Sequence, residues 1–307
     1  MTQVLTIGIQ QIRGETRFSV SVRGTLFPTH LLVGRRCDDA LRLMPLIFNL
    51  CPAAQGAAAA MAMGILPTTG THTVIAYETL REHALVMLRD WPLALHDVPC
   101  NDDLSGLAGL CDSHLRDLEH TLFSTRATDV LDDFDGWLKN SQSRPAKYLK
   151  QVEKWPKSSG RTAAEFDPTF IGRVIQHPAL SRIVDNEGIT LFARMAARVV
   201  EAATLIIDIT SGDAGIRYGR TDTSGGWAEA ARGRLLHYAR LRNGAIEDYR
   251  IETPTDSMIG DSAFLQNLLQ SAATGPSAGR SDRIRIALTC ADPCLPVIWQ
   301  TRTKYDA

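Results

Sequence analysis

The sequence predicts an α+β fold in one domain, 1–307, with a mostly helical core at about 37–205 and a peripheral antiparallel β region. Three observations support this prediction: two short alternating strands near the N-terminus, a long series of apolar residues at helical spacing, and a β-rich part at about 213–307. With 307 residues, 44% of them hydrophobic, the chain can bury the core that one such domain requires.

The N-terminal strands and the helical core come first in the chain. β-Branched residues alternate at 4–9 and 17–22, which is typical of strands. Apolar residues at helical spacing then predict a series of helices. These are a helix from Cys37 with Ala40, Leu41, Met44 and Ile47 on one face, 52–63, a helix that buries Ala76, Leu80, Ala84, Met87 and Leu88, 104–123, 130–138, 170–183 and 189–205.

Strand patterns return in the C-terminal third. The segments 234–242 and 245–251 alternate and are joined by Asn243 and Gly244, a pair that strongly favours a tight hairpin. The segment 283–289 predicts a final strand. The C-terminal third and the two N-terminal strands therefore supply the predicted β region.

Composition and charge exclude several classes of partner. The net charge is −1 and the pI is near 6.7, so the chain has no basic field to attract nucleic acid. No apolar run approaches the roughly 20 residues of a membrane helix, and the N-terminus lacks a signal-peptide pattern. We expect no membrane partner and a cytoplasmic location, where the six cysteines stay reduced as buried thiols or metal ligands.

A basic segment interrupts the helical core at 139–161. Two interpretations stay open, a docking patch for a partner or an ordinary solvated face. Its charged residues are Arg144, Lys147, Lys150, Lys154 and Lys157, with Glu153 in opposition.

Two cysteines are each followed or preceded by a helix-starting proline. Cys51 lies directly before Pro52, and Asp292 and Pro293 predict a short helix with Cys294 in its first turn. The positive end of a helix favours the thiolate, which is the form that binds metals. A pair of buried thiols and a disulfide are the alternatives.

The usual motifs of enzymes and closed metal sites are absent. The sequence contains no Cys-x-x-Cys, no His-Glu-x-x-His, no Gly-x-Ser-x-Gly and no phosphate-binding or dinucleotide-binding glycine pattern. The eight histidines are scattered and predict surface or hydrogen-bonded core residues. An enzyme with a reactive thiol at Cys51 is a third hypothesis, but no base or oxyanion site supports it, so we expect no catalytic residue.

Three blocks, in the right order, resemble nickel-iron hydrogenase large subunits. GRRCDDALRLMPLIFNLC at 34–51 is similar to the family stretch that ends in Arg-Ile-Cys-Gly-x-Cys, with only the second cysteine kept, as Cys51. DPCLPV at 292–297 is similar to Asp-Pro-Cys-x-x-Cys, with only the first kept, as Cys294. EAARG at 229–233, followed by TPT at 253–255, is similar to the family segment Glu-Ala-Pro-Arg-Gly…Pro-Ser/Thr.

The resemblance implies a site. In that family four thiolates hold nickel, two of them bridge to an iron that carries cyanide and carbon monoxide, and an arginine and a Ser/Thr bind the cyanides. By position, Cys51 matches a bridging ligand, Cys294 a terminal nickel ligand, Arg232 the arginine and Thr255 the hydroxyl residue. Arg232 also has a simpler interpretation, as a surface or carboxylate-paired residue.

The departures from the family pattern predict a protein without hydrogen turnover. Phe48 and Val297 occupy the other two ligand positions and have no lone pair, so nickel is not expected. Gln300 stands where large subunits carry a histidine, and we expect no cleavable C-terminal extension. Cys290 is either a substitute ligand or, more simply, a buried structural thiol.

A site with so few of the family's ligands resembles that of hydrogenase accessory proteins of the HupK/HoxV type, which are degenerate homologues of the large subunit. This resemblance implies a scaffold or carrier that holds iron transiently as Fe(CN)2CO before its transfer. The partners that it implies are a HypC-type chaperone, HypD and the apo hydrogenase large subunit. The alternative is a metal-free mimic of the large subunit that binds maturation proteins or the apo large subunit.

Overall fold

A computed structural model describes residues 3–12, 15–24, 29–157, 160, 167–223, 225–260 and 263–302. The strands are β1 Val4–Ile12, β2 Glu15–Arg23, β3 Tyr218–Arg220, β4 Gly225–Ala230, β5 Gly233–Arg242, β6 Ala245–Glu252 and β7 Val297–Arg302. The helices are α1 Cys37–Ile47, α2 Pro52–Ala62, α3 Thr71–Leu85, α4 Trp91–Ala94, α5 Asn101–Ser105, α6 Leu115–Phe123, α7 Ala127–Asp132, α8 Phe134–Asn140, α9 Arg144–Glu153, α10 Ile171–Val174, α11 Pro178–Glu187, α12 Leu191–Ser211, α13 Pro254–Ile259, α14 Phe264–Ala272 and α15 Arg280–Ala291.

The strands form two sheets. One has the order β2-β1-β7, in which β1 pairs antiparallel with β2 and parallel with β7. The other is antiparallel, in the order β3-β4-β5-β6, and its β5-β6 turn places Asn243 and Gly244 at φ values of 53° and 77°. Positive φ at both central residues is the geometry of a tight type I′ hairpin, so the predicted turn is confirmed.

A long buried helix, α12, runs through the centre of the helical core. Thr190 caps its start by accepting from the Ala193 N–H at 3.1 Å, and Gly212 ends it in a left-handed conformation at φ 77°. Helices α3, α7, α9, α10, α11 and α15 pack around it. No helix in the described part of the chain is both long and apolar enough to cross a membrane.

The first three helices agree with the prediction and lead to the site. The predicted apolar face of α1 buries Ala40 and Met44, and α2 begins at Pro52. Helix α2 lies against β4 and β5, and Gly226 of β4 permits the contact, because a Cβ there would lie 2.0 Å from the Ala58 carbonyl oxygen.

The predicted final strand at 283–289 is wrong, because these residues belong to α15. Ile284, Ile286 and Leu288 alternate as in a strand, but burial follows a helical spacing in Arg283, Ile286, Ala287, Cys290 and Ala291. Among the described residues of the C-terminal third, strands lie within 218–252 (β3 to β6) and at Val297–Arg302 (β7). The β-rich part predicted at 213–307 is therefore interrupted by α13, α14 and α15.

Other predicted helices are divided. The segment 104–123 contains the end of α5, a 3-10 turn and α6, whereas 130–138 spans α7 and α8. Asp133 starts α8 by accepting from the Gly136 N–H at 2.9 Å. Likewise 170–183 spans α10 and α11, and Pro178 begins the second helix. Side-chain caps and prolines therefore set boundaries that apolar spacing does not reveal.

The basic segment lies mainly on α9, and 158–159 and 161–166 lie outside the described residues. Lys147 pairs with Asp97 at 3.0 Å, and Lys150 donates to the Ser141 carbonyl oxygen at 2.8 Å. Part of the positive charge of this segment is therefore bound by local partners. The docking interpretation of this face stays a prediction.

Candidate metal centre

Cys51 lies at the start of α2, as predicted, with Pro52 as the first helical residue. Burial, followed by the negative charge of Glu78, raises the pKa of the Cys51 thiol to about 12. The hydrogen bond from Gln55 and the charge of Arg232 act in the opposite direction. Burial therefore favours the protonated thiol in the folded chain, which opposes the preference for the thiolate expected from the helix end.

Cys294 does not lie in the first turn of a helix, which corrects the prediction for it. Helix α15 ends before Cys294, with Asp292 in a left-handed conformation at φ 50°, and β7 follows at Val297. Cys294 therefore occupies a bend between a helix end and a strand. Burial raises the pKa of its thiol, whereas Thr255 and Arg232 lower it.

Thr255 contacts Cys294 directly. It lies in the first turn of α13, and Thr253 caps this helix in a reciprocal pair of hydrogen bonds with Asp256. The Thr255 Oγ1 donates to the Cys294 Sγ at 3.0 Å and accepts from the Cys294 N–H at 3.0 Å. The hydroxyl thus fixes both the backbone and the sulfur of Cys294.

Arg232 reaches the same place from the β4-β5 turn. Its Nε donates to the Asp292 carbonyl oxygen at 2.8 Å, and its terminal nitrogens lie 3.2 Å from Asp292 Oδ1 and 3.4 Å from Glu82 Oε2. The side chain is 13% exposed, and its pairing with two carboxylates was one interpretation of the sequence. Gly233 follows at φ 140°, where a Cβ would lie 2.4 Å from the Pro168 carbonyl oxygen, so the turn requires glycine.

The four residues singled out in the sequence therefore come together. Thr255 touches Cys294, the charge of Arg232 lowers the pKa of both thiols, and Cys294 raises the pKa of Cys51. Phe48, at one of the two replaced ligand positions, is buried in an apolar cluster. The local donor set is two thiols, a guanidinium and a hydroxyl.

Sequence reasoning did not find the acidic residues around this site. Glu78 of α3 accepts from the backbone N–H groups of Ala53 and Ala54 at 2.8 and 3.2 Å, and burial raises its pKa to about 7. Glu82, one turn later, is 6% exposed and faces Arg232. The available signal was two glutamates four residues apart on a helix with a predicted buried stripe.

A buried ionic network extends from the site into the core. Arg198 of α12 lies 3.6 Å from Asp292 and donates from Nη1 to His83 Nδ1 at 2.8 Å. His83 Nε2 lies 2.7 Å from Glu201, which also pairs with Arg173 at 2.6 Å. The carboxylate that holds Arg232 is therefore tied to the central helix.

Within the described ranges, no group of three or more His, Cys, Asp or Glu side chains is arranged to hold a metal ion. Cys290 packs in the main hydrophobic cluster, 5% exposed, and burial raises its pKa to about 11. Its surroundings fit the structural-thiol alternative. Any metal unit at Cys51 and Cys294 would have two protein thiolates and would need other ligands of its own.

Two hydrogenase expression/formation proteins are similar to this chain in sequence. No protein-family profile matches the chain. Over 87% of its length it is 25% identical to the hydrogenase expression/formation protein HoxV of Cupriavidus necator, of which 88% is covered. It is 26% identical to HupK of Azotobacter vinelandii, another hydrogenase expression/formation protein, with 87% of this chain and 89% of HupK covered.

Solved structures show the same fold at low identity. An NAD+-reducing nickel-iron hydrogenase aligns with a TM-score of 0.54 and 14% identity, over 92% of this chain and 93% of the other. The nickel-iron-selenium hydrogenase of Desulfomicrobium baculatum aligns with a TM-score of 0.53 and 12% identity, over 93% and 95%. The chain is thus similar in sequence to the HoxV and HupK hydrogenase expression/formation proteins, and it has the fold of nickel-iron hydrogenase large subunits.

Proposed function

We propose that this chain is a non-catalytic hydrogenase maturation protein that holds an Fe(CN)2CO unit transiently. HoxV and HupK are hydrogenase expression/formation proteins, which supports a role in maturation. The observation that carries the finer proposal is the convergence of Cys51 and Cys294 beside Arg232, with Thr255 bonded to the Cys294 sulfur.

The donor set suits such a cargo. Iron(II) with strong-field cyanide and carbonyl ligands needs few protein donors, and thiolates are soft ligands that it accepts. The Arg232 guanidinium carries one more N–H group than its bonds to Asp292 and Glu82 use, and Thr255 supplies a hydroxyl. The remaining Arg232 N–H can donate to a cyanide nitrogen, which is a partly negative acceptor, and the single Thr255 O–H would do so in place of its bond to the Cys294 sulfur.

The same site is a poor one for nickel. Phe48 and Val297 stand at the two remaining ligand positions of the family pattern and cannot coordinate. Because the thiol pKa values are raised by burial, the metal must displace protons from Cys51 and Cys294 as it binds. A site with two such anchors favours release of the cargo over permanent storage.

The shared fold supports the partners that the resemblance implies. Proteins that recognise the apo large subunit during maturation would meet a similar surface here, so a HypC-type chaperone, HypD and the apo large subunit are the proposed partners. The cytoplasmic location expected from the sequence stays a prediction.

A second candidate is a metal-free mimic of the large subunit. Burial of both thiols favours this function, since a raised pKa keeps them protonated without a metal. Such a protein would bind maturation proteins or the apo large subunit without carrying iron.

Infrared spectroscopy with iron quantification on one sample separates the two. The protein is purified without air from cells that contain the maturation machinery, as wild type, Cys51→Ala, Cys294→Ala and, as control, Cys111→Ala at an exposed cysteine. A carrier shows cyanide and carbonyl bands that both site variants lose and the control keeps. Absence of iron and bands from the folded wild type, with normal hydrogenase maturation in the site variants, favours the mimic.

Arg232 is tested in the same experiment. Arg232→Leu removes the donors to cyanide, whereas Arg232→Lys keeps the charge, so the expected order of iron retention is wild type, then lysine, then leucine. Equal retention in all three would contradict a cyanide-facing role for Arg232.

A further inference from the structure

A buried line of side chains connects Cys51 to the four-stranded sheet. Gln55, one turn after Cys51 in α2, has its Nε2 at 3.7 Å from the Cys51 Sγ. The Gln55 Oε1 lies 2.6 Å from His237 Nε2 on β5. The His237 Nδ1 lies 2.6 Å from the Tyr249 hydroxyl on β6. Three hydrogen bonds therefore join four side chains from three elements.

The three side chains beyond Cys51 are closed to solvent. Gln55, His237 and Tyr249 are 2%, 0% and 5% exposed. The ring of Phe48, which replaces a ligand of the family pattern, packs edge-on against His237 with centroids 6.4 Å apart. Because water cannot substitute for a lost partner here, each polar atom depends on its neighbour in the line.

The chemistry of the groups sets the direction of each bond. A glutamine Oε1 only accepts, so His237 must carry its proton on Nε2. Burial lowers the pKa of His237 to about 3, so the ring is neutral and Nδ1 accepts from the Tyr249 hydroxyl. With Oε1 held by His237, the amide of Gln55 presents its N–H to the Cys51 sulfur.

The opposite set of directions is also possible: the Cys51 thiol donates to Gln55 Oε1, the Gln55 amide donates to His237 Nε2, and His237 Nδ1–H donates to the Tyr249 hydroxyl. A sulfur bound to iron has no proton, so it can only accept a hydrogen bond. Iron at Cys51 is therefore compatible with the first order alone, which is the order that the structure shows.

We propose that Gln55 is a positioning residue that donates a hydrogen bond to the Cys51 sulfur, and that His237 and Tyr249 hold its amide in that orientation. This inference rests on the proposed function, since it concerns how Cys51 grips the iron unit. Such outer contacts orient metal ligands, and an N–H bond withdraws electron density from a thiolate. Gln55 thus keeps the Cys51 sulfur oriented toward the iron unit and lowers the electron density that this sulfur donates to the iron.

Two matched variants isolate the bond to sulfur. Gln55→Glu keeps the size and still accepts from His237, but its carboxylate has no N–H for the sulfur, and Gln55→Leu removes both bonds. We expect iron retention to fall about ten-fold or more in both, the usual effect of losing such a contact. The carbonyl band of the remaining iron should move to lower frequency, because the sulfur then donates more electron density.

Nitrogen-15 NMR of the histidines tests the orientation without any metal. In the wild type, His237 should appear as the neutral ring protonated on Nε2, and its signal is assigned by its loss in His237→Gln. Tyr249→Phe keeps the buried volume but removes the outer donor, so the His237 signals should shift toward a mixture of the two neutral forms. Iron retention in this variant should fall less than in the Gln55 variants.

The outcomes are distinguishable. A His237 ring protonated on Nδ1 overturns the proposed order. Iron that is present in the wild type and unchanged, in amount and in band position, in both Gln55 variants overturns the role of Gln55. Iron that is absent from the wild type means that the proposed function has failed, and the role at Cys51 fails with it, while the NMR result still shows whether the hydrogen-bonded line exists.

Discussion

His83 lies at the centre of the buried network, and its neighbours set its protonation. The Arg198 guanidinium has no acceptor atom, so at 2.8 Å it must donate to His83 Nδ1, which is therefore unprotonated. Nε2–H donates to Glu201 at 2.7 Å. Burial lowers the pKa of His83 to about 4, although Glu201 acts to raise it, so the ring is neutral in the folded protein.

Because His83 is neutral in the folded protein, we expect the protein to lose stability in mild acid. In the unfolded chain His83 takes up a proton near its ordinary pKa of about 6.5, whereas the folded protein does so only near 4. Its contribution is complete above pH 6.5 and is lost as the pH falls toward 4, on the order of 3 kcal/mol in all, of which about 2 kcal/mol is lost between pH 7 and pH 5. Urea denaturation of wild type and His83→Gln at pH 7 and pH 5 measures it.

His83→Gln is a useful reference because glutamine can also accept from Arg198 and donate to Glu201 without titrating. The free energy of unfolding should fall more between pH 7 and pH 5 in the wild type than in this variant. An equal fall in both proteins would mean that His83 does not titrate as its burial indicates.

At the residue scale, the site was predictable only in part. Motifs that resemble those of nickel-iron hydrogenase large subunits marked Cys51, Cys294, Arg232 and Thr255. The carboxylates that surround them have no such marker, since burial of an acidic residue depends on partners far away in the chain. Glu82 is an example, because its partner Arg232 lies 150 residues later.

At the scale of elements, the position of Cys51 depends on how closely α2 approaches β4. A Cβ at Gly226 would lie 2.0 Å from the Ala58 carbonyl oxygen and 2.6 Å from the Ala62 nitrogen. Gly226→Ala should therefore push α2 away from the sheet and lower the free energy of unfolding by about 1–3 kcal/mol. Iron retention should fall as well, because Cys51 moves with the helix.

Gly56→Ala in the same helix is the matched control. A Cβ at Gly56 meets nothing within 4 Å, and alanine is the better helix former by about 1 kcal/mol. Thermal denaturation should show a gain for Gly56→Ala and a loss for Gly226→Ala. A loss in both would indicate that α2 tolerates no added methyl group, and the close contact with β4 would not be the cause.

Helix α15 shows why the prediction of the final strand failed. Alternating apolar residues favour a strand, but the deciding feature is the burial of Arg283, which donates to the carbonyl oxygens of four residues. These acceptors are Ala272, Thr274, Pro276 and Ala278. An arginine that donates from a helix to the carbonyl oxygens of a loop leaves no periodic pattern in the sequence. The position of Cys294 in a bend was therefore missed as well.

At the scale of the whole molecule, the site depends on contacts between distant parts of the chain. Strand β7 follows Cys294 and pairs with β1, in a register that sets Leu5 beside Val297. The backbone N–H of Leu5 also donates to the Pro296 carbonyl oxygen at 2.9 Å. Local patterns predicted β1 correctly. Only the resemblance to large subunits indicated that Cys51, Arg232, Thr255 and Cys294 meet at one place.

This arrangement predicts that β7 is needed for the site although it contributes no donor. A chain that ends at Leu295 retains Cys51, Cys294, Arg232 and Thr255 but leaves the edge of β1 unpaired and uncovers Leu5 and Ile7, both 0% exposed in the intact protein. We expect a lower urea midpoint and loss of iron, because Cys294 is then anchored only by α15 and Thr255. A chain that ends at Arg302 keeps the whole of β7 and serves as the control. Equal iron in both truncated proteins would show that α15 and the Thr255 hydrogen bonds alone hold Cys294 in place.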